Sequence, residues 1–350
     1  MLKKKKVVSM VLALALTVGT VTPCLAASGE SNGKSKLASG ESPYTSSSVS
    51  SWTDESVLTG AWSLDWAKAK INGGAATVTD GTVVLNAKST LTFDVPITES
   101  GTYKIAVKYC PKDAMYMDCL LDMTVNGTDD IASLPLLWAD GYSVYGTDRK
   151  GNELVPEQIS VPQPYLDFLA DYHDTNMDDL TYTWEAGTQT VAMTPESQDV
   201  VLYGIYVCKE TTLPTYKEYM AANAGKADAT DTKIIEAERY MVKSDSFIRA
   251  SSQKNAALYP YDTYAKLLNI LDGGTWSSAG QKILWEFEVD TDGYYQLGLR
   301  YLQNSDTNKP VYRTVEIDGS VPFAEWKTVA FDNTRTNKFD NKVLDVDGEP

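Results

Sequence analysis

The hydrophobic pattern of the chain is mostly that of short strands. Residues 83–85, 90–95, 103–109, 121–125, 181–184, 190–193 and 200–207 alternate apolar with polar positions or are rich in β-branched residues. That is the period-two mark of a pleated surface with one buried face. Gly, Asp, Asn and Pro punctuate the intervals. The same texture returns in residues 283–289, 294–301 and 311–317. Three short segments read as helices: 165–172 behind Pro164, 216–224 between Pro214 and Gly225, and 264–271. Proline suits a first helical turn and glycine a C-terminal cap. Many short strands with few helices predict an all-β chain built of antiparallel sandwiches.

The first 27 residues follow another rule. Four Lys at 3–6 precede about fifteen apolar residues, and Pro23-Cys24-Leu25-Ala26-Ala27 supplies a break followed by small residues. This predicts a secretory signal peptide over residues 1–27 and a secreted, extracellular product. The apolar stretch is short for a membrane span, and no later segment reaches ~18 continuous apolar residues. A lipid anchor at Cys24 is not expected, because Val21-Thr22-Pro23 departs from the small residues that precede a lipidated cysteine. Cleavage leaves Cys110, Cys119 and Cys208, an odd set that makes no disulfide framework. Cys110 and Cys119 are spaced to bridge a hairpin, but the preferred reading is three small residues packed in strands. Residues 28–51 are rich in Ser, Gly, Lys and Glu, as in a flexible tether, with structure expected from Trp52.

Charge narrows the partners. The formal net charge is −16, and loss of the four N-terminal lysines takes it to −20. Such a surface repels nucleic acid and anionic lipid; it suits neutral ligands, cations or plain solubility. Tyr (21) and Trp (8) outnumber Phe (7), so many rings carry a polar tip fit for exposed platforms, although most are expected to be strand residues. The single His, His173, lies in a polar run and is expected to be solvated. No zinc-ligand set, phosphate-cradling loop or nucleophile elbow is present. With 47 acids, carboxylate pairs are inevitable and none is singled out, so no catalysis is expected.

The chain also repeats itself. Phe93-Asp94-Val95, Gly101, Tyr103, Tyr109 and Asn126-Gly127 find counterparts in Phe287-Glu288-Val289, Gly293, Tyr295, Tyr301 and Asp318-Gly319. Counted from each first glycine, the tyrosines fall at +2 and +8 and the second glycine at +26 in both copies. The first glycine reads as a turn with positive φ. Tyrosines six apart share a strand face. Asn-Gly and Asp-Gly are type I′ hairpin signals. The repeat predicts two tandem modules, 52–210 and 233–350, joined by a linker at 211–232. Only 31 residues follow Gly319, against about 80 after Gly127 in the first module, so the second is expected to lack its closing strands.

Glu236-Ala237-Glu238, Asp292-Gly293-Tyr294-Tyr295, Arg300-Tyr301 and the run from Arg313 to Gly319 resemble the galactose-binding-like (jelly-roll) β-sandwich. The nearer likeness is to carbohydrate-binding modules of families 6 and 35. The first module lacks Glu-Ala-Glu but carries the family-like end in Glu185-Ala186-Gly187, residues 190–193 and 200–207. A signal, two such modules and Val321-Pro322-Phe323-Ala324-Glu325 resemble the N-terminal region of large extracellular solute-binding proteins of ABC importers. The resemblance implies non-catalytic binding of an extracellular carbohydrate, with an importer permease as partner through a further domain. Two other roles stay open: spacer modules without a sugar site, and accessory modules of a secreted glycoside-active enzyme.

A sugar site needs an aromatic face for the apolar side of a pyranose and polar groups for its hydroxyls. Trp276, in the Ser/Gly-rich loop 274–278, is the leading platform. Tyr259 and Tyr261 flank Pro260 in another loop, and Arg313 and Asn333 offer donors. The alternative for each is packing between loop and sandwich. Trp138, Tyr142 and Tyr145, in the loop-rich insertion 131–180, are weaker candidates. Glu236 and Glu238 are two apart, which places both on one strand face. Paired carboxylates repel unless neutralised, and hard oxygens suit Ca²⁺. The resemblance implies a structural calcium there; the alternative is two solvated edge-strand acids.

Overall fold

The computed structural model describes residues 6–12, 37–39, 42, 54–73, 77–79, 81–112, 117–161, 163–303 and 309–334. The cleavage region with Cys24, nearly all of the 28–51 tether, Trp52 and residues 335–350 lie outside the described residues.

The first module is a sandwich of two antiparallel sheets. One runs Tyr165–Phe168, Gly101–Pro111, Val200–Lys209, Thr82–Leu85 and Thr77–Thr79, with Thr181–Trp184 also paired to Gly101–Pro111. The other runs Ala170–Asp171, Thr128–Leu134, Cys119–Val125, Gly187–Pro195, Thr90–Ile97 and Lys70–Asn72. Alternation does what it predicts. In Thr90–Ile97 the buried residues are Leu91, Phe93, Val95 and Ile97, and they meet Ile105, Val107 and Tyr109 of the facing sheet in one core. Tyr103 and Tyr109 are both buried, as their shared face requires. Both repeat hairpins turn as type I′, with positive φ at Asn126 and Gly127 and at Asp318 and Gly319. Cys110, Cys119 and Cys208 are unpaired. Burial pushes the Cys110 thiol up to about 11 and the Cys119 thiol up to about 12, which leaves both inert near neutral pH.

Several elements differ from expectation. Residues 165–172 are not helical: Tyr165–Phe168 pairs with Gly101–Pro111, and Ala170–Asp171 pairs with Thr128–Leu134. Sheet edges with unpaired backbone groups outweigh the weak local preference of a proline-led segment. Residues 264–271 are not helical either. Asp262 Oδ1 accepts from the Tyr264 and Ala265 amides, fixing a turn, and Ile270–Leu271 pairs with Ala250–Ser251. Residues 294–301 form no regular strand. Tyr294 instead exchanges backbone hydrogen bonds with Ala227 and Ala229. Gly293 therefore serves close approach, not a positive-φ turn: a Cβ there would sit 2.8 Å from the Ala227 carbonyl oxygen and 2.9 Å from the Ala229 nitrogen. The helix expected at 216–224 is present as Tyr216–Ala222, closed by a capping box between Thr215 and Glu218. The segment 211–232, expected as a linker, lies against the second module, with the Tyr216 and Tyr219 rings on Phe323 and Asp231 bonded to Thr291 and Tyr295.

The second module packs Tyr240, Ile248, Leu271, Trp276, Ile283, Trp285 and Val315 into its own core. Its main sheet crosses the expected module boundary. The order is Gln158–Ser160, Trp138–Asp140, Val242–Lys243, Ile283–Val289, Lys6–Leu12 and Val315–Ile317. The first two strands belong to the insertion of module one, and Trp138 pairs with Lys243 at the junction. A buried network seals it. Tyr240 Oη donates to Asp140 Oδ1 at 2.9 Å, Gln158 Nε2 donates to the same oxygen at 2.8 Å, and Lys243 Nζ donates to Tyr240 Oη at 3.0 Å and to the Ile248 carbonyl. Residues 6–12 of the expected signal form a strand in this sheet. Among the described residues, no helix is long and apolar enough to cross a membrane.

Candidate functional site

Three exposed tyrosines lie within six residues in the loop between Ala250–Ser251 and Ile270–Leu271. Tyr259 is 68% exposed, Tyr261 41% and Tyr264 91%. Loops with such exposure are ordinarily mobile; this one is tied down at both ends and across its middle. Lys254 Nζ donates to the carbonyls of Asp262, Thr263 and Ala265 at 3.1, 3.2 and 2.7 Å. Asn269 Nδ2 donates to the Gln253 and Pro260 carbonyls, and Asn269 Oδ1 accepts from the Gln253 amide. Module one clamps the far side: the Lys266 amide donates to Asn152 Oδ1 and the Leu268 amide to Glu153 Oε2. Three amphipathic rings are thus held out from a fixed backbone, beside the ammonium of Lys254 and the carboxylate of Asp262. The sequence reading places Tyr264 at the start of a helix; the feature that marks it as a surface ring is the density of tyrosine in the run Tyr259-Pro260-Tyr261-Asp262-Thr263-Tyr264.

The other sequence candidates fall elsewhere. Trp276 is 1% exposed and sits in the core, its ring 6.4 Å from that of Trp285 and its Nε1 donating to the Gln281 carbonyl. It offers no free face. Arg313 is committed to the same tryptophan, with its guanidinium 5.0 Å from the Trp276 ring centroid and Nη2 donating to the Trp276 carbonyl at 3.1 Å. Asn333 is half-buried near the end of the described chain. Trp138 and Tyr145 are buried and Tyr142 is exposed. Of the five sugar-site candidates, Trp276 and Arg313 come together in the core and Tyr259 and Tyr261 come together at the surface.

Glu236-Ala237-Glu238 forms a turn, not a strand, so the two carboxylates do not share a strand face; the Arg239 amide closes the turn on the Glu236 carbonyl. Glu236 is half-buried. Glu238 is 2% exposed, and its Oε1 has no hydrogen-bond partner. Burial pushes the Glu238 carboxyl up to about 7, with Glu236 and Glu153 adding to the shift. Among the described residues, no three His, Cys, Asp or Glu side chains converge closely enough to hold a metal ion.

A polar cleft of about 220 Å³ lies between the modules, lined among others by Asp118, Asp167, Asp179, Asp245, Gln281 and Lys282. Lys282 Nζ donates to both oxygens of Asp167, at 2.7 and 2.8 Å, and Gln281 Nε2 donates to Asp245 at 2.7 Å. Burial raises the Asp118 carboxyl to about 6. No aromatic ring lines this cleft, and sequence spacing gave no sign of it, since its residues come from distant segments.

No family model matches the chain, and no curated protein matches it. Solved structures do match. A family 35 carbohydrate-binding module from Clostridium thermocellum aligns at 10% identity and a TM-score of 0.26, covering 43% of this chain and 100% of that one. The C-terminal family 6 module of a laminarinase from Zobellia galactanivorans aligns at 12% identity and a TM-score of 0.26, covering 43% and 100%. A family 6 module of a Cellvibrio mixtus lichenase, solved with cellotriose, aligns at 13% identity and a TM-score of 0.23, covering 44% and 89%.

Proposed function

We propose that this chain is a non-catalytic carbohydrate-binding protein that works outside the cell and contacts sugar through Tyr259, Tyr261 and Tyr264. The observation that carries this reading is the combination of exposure and restraint in the 252–269 loop. Rings fixed before binding lose little conformational freedom on contact, so more of the contact energy appears as affinity. Tyrosine supplies an apolar face for a pyranose and a hydroxyl for its polar rim. The strongly acidic surface favours an uncharged glycan over an acidic one. Delivery to an importer permease rests on module order alone.

A glycan array with the chain and its Tyr259→Ala, Tyr261→Ala and Tyr264→Ala variants tests the site. Each substitution is expected to weaken binding about tenfold, or ~1.4 kcal/mol. Folding stability should stay within about 0.5 kcal/mol, as for other exposed positions. Binding that survives the triple variant places the site elsewhere. A folded protein that binds no glycan leaves the spacer role in its place.

A calcium ion at Glu238, with Glu236 beside it, belongs to the same proposal. The unpartnered buried Oε1 supports it, and the described carboxylates alone make an incomplete shell for an ion that wants six to eight oxygens. Without calcium, Glu238 has a folded pKa above its unfolded one. Its contribution to stability is therefore complete below about 4.5 and lost as pH rises through about 7. Thermal melts from pH 4 to 8 should show this decline, and Glu238→Gln should reduce it, the remainder coming from other raised carboxyls such as Asp118. Added Ca²⁺ should raise the melting temperature at pH 7 in the parent and not in Glu238→Gln. An unchanged melt with Ca²⁺ removes the calcium site.

A further inference from the structure

The cleft between the modules holds polar groups that the fold leaves unanswered. Ser133 lies in Thr128–Leu134, where Ala132 and Leu134 point into the core of module one. Alternation turns Ser133 to the outer face of that sheet, toward the cleft that it lines. The residue is only 2% exposed, yet its hydroxyl makes no hydrogen bond to a described residue. A buried hydroxyl without a partner is costly and calls for an explanation. On the module-two wall, Ser244 is 4% exposed. Its Oγ accepts from the Lys282 amide at 2.7 Å, and its own proton has no acceptor among the described residues. Charge is unbalanced as well. Lys282 is taken up by Asp167 and Lys104 by Asp179. Asp118 and Asp245, one from each module, form no ion pair with a described Lys or Arg. Asp118 accepts from the Leu136 amide at 3.2 Å, and Asp245 from the Phe247 amide and Gln281 Nε2. Burial raises the Asp118 carboxyl to about 6 and the negative charge of Asp245 adds to the rise, so the two repel across the junction.

The chemistry of the walls selects the occupant. These carboxylates do not converge as the ligands of a metal ion do; they suit a cation carried on a larger molecule. The cleft, at about 220 Å³, is smaller than the roughly 300–1,000 Å³ of a drug-sized ligand site, so it admits one small ring and not a polymer. No aromatic face is available for stacking, and recognition falls to charge-assisted hydrogen bonds, about twice as strong as neutral ones. Pro135 and Met177 add apolar contact. We propose that this cleft is a second binding site and that it takes a monosaccharide with a free, protonated amine. The ammonium, which has three protons to donate, lies between Asp118 and Asp245 and neutralises both. The ring hydroxyls answer Ser133 and Ser244. Because its walls come from both modules, the ligand also bridges their junction. The site shares no residue with the tyrosine loop and does not depend on it.

Calorimetric titration of the full chain with glucosamine at pH 7 tests it, with glucose and N-acetylglucosamine as uncharged controls. Glucosamine should bind saturably, and each control at least tenfold more weakly. Asp118→Asn and Asp245→Asn should each weaken glucosamine binding at least tenfold, and Ser133→Ala should weaken it severalfold. The asparagine variants keep an acceptor for the Leu136 and Phe247 amides. Tyr264→Ala should change nothing, which separates this site from the tyrosine loop. Absence of saturable binding, equal binding of N-acetylglucosamine, or full affinity in both asparagine variants overturns the proposal. A measurement on the unaltered chain covers the case in which a variant does not fold. Glucosamine should slow amide hydrogen exchange in residues 133–136, 244–247 and 278–282 and leave 252–269 unchanged. Protection confined to 252–269 would place the amine sugar on the tyrosines and also overturn the cleft site.

Discussion

Replacing Trp276 with alanine is expected to lower the unfolding free energy by about 3–5 kcal/mol, the usual loss for a core aromatic. The ring is buried against Trp285 and roofed by the Arg313 guanidinium. Truncation opens a cavity, strips Arg313 of its cation–π partner and leaves the Gln281 carbonyl without the indole donor. Against a total stability of order 5–15 kcal/mol, that is enough to cost much of the native population. Urea denaturation of Trp276→Ala and Trp276→Phe measures it, the phenylalanine variant losing less. A loss under about 1 kcal/mol for alanine would show that the ring is not packed and would return it to the list of binding platforms. Any fall in sugar binding by Trp276→Ala must therefore be measured on folded protein, whereas the loop tyrosines carry no such confusion.

Asp140→Ala is expected to cost about 3–5 kcal/mol, because it removes both the acceptor shared by Tyr240 Oη and Gln158 Nε2 and the charge that offsets the burial of Lys243. Lys243 is fully buried, and burial pulls its pKa down to about 7 against the opposing pull of Asp140. Burial likewise raises the Asp140 carboxyl, opposed by the hydrogen bond from Gln158 and by Lys243. Lys243→Met in the Asp140→Ala background should recover part of the loss, since an apolar pair needs no compensation, and a double-mutant cycle isolates the coupling. The pH dependence has a definite sign. Between about 7 and 10 the unfolded chain holds a proton on Lys243 that the folded chain has released, so this group makes stability rise with pH in that window. The rise should vanish in Lys243→Met. A loss below 1 kcal/mol for Asp140→Ala would mean that the junction between the modules does not depend on the network.

Local signals carried most of module one into view. Alternation marked Thr90–Ile97 and Val200–Lys209, and Asn126-Gly127 and Asp318-Gly319 marked their turns, because each is decided by neighbours in sequence. Residues 165–172 misled because a proline-led apolar run is compatible with a helix or a strand, and the open edge of Gly101–Pro111 made the choice. Trp276 misled for a related reason. A Ser/Gly loop looks solvated, yet this one folds its indole inward, where Arg313 and Trp285, 37 and nine residues away, complete the site. The tyrosine loop was half legible: Pro260 and the flanking rings showed, but the clamps from Asn152 and Glu153 come from more than a hundred residues upstream. The pairing of Trp138 with Lys243 has the same long reach, and no periodicity announces it.

That pairing bears on what counts as one unit of inheritance. The sequence presents a duplication, two copies of one plan with a polar joint between them. Severing the chain anywhere in 211–232 would not yield two self-sufficient halves. The first would keep Trp138–Asp140 with a bare edge and an Asp140 stripped of Tyr240; the second would keep Val242–Lys243 without the strand and the carboxylate that face it. The two parts are complementary at this junction, so any division of the chain has to keep Trp138–Asp140 and Val242–Lys243 together.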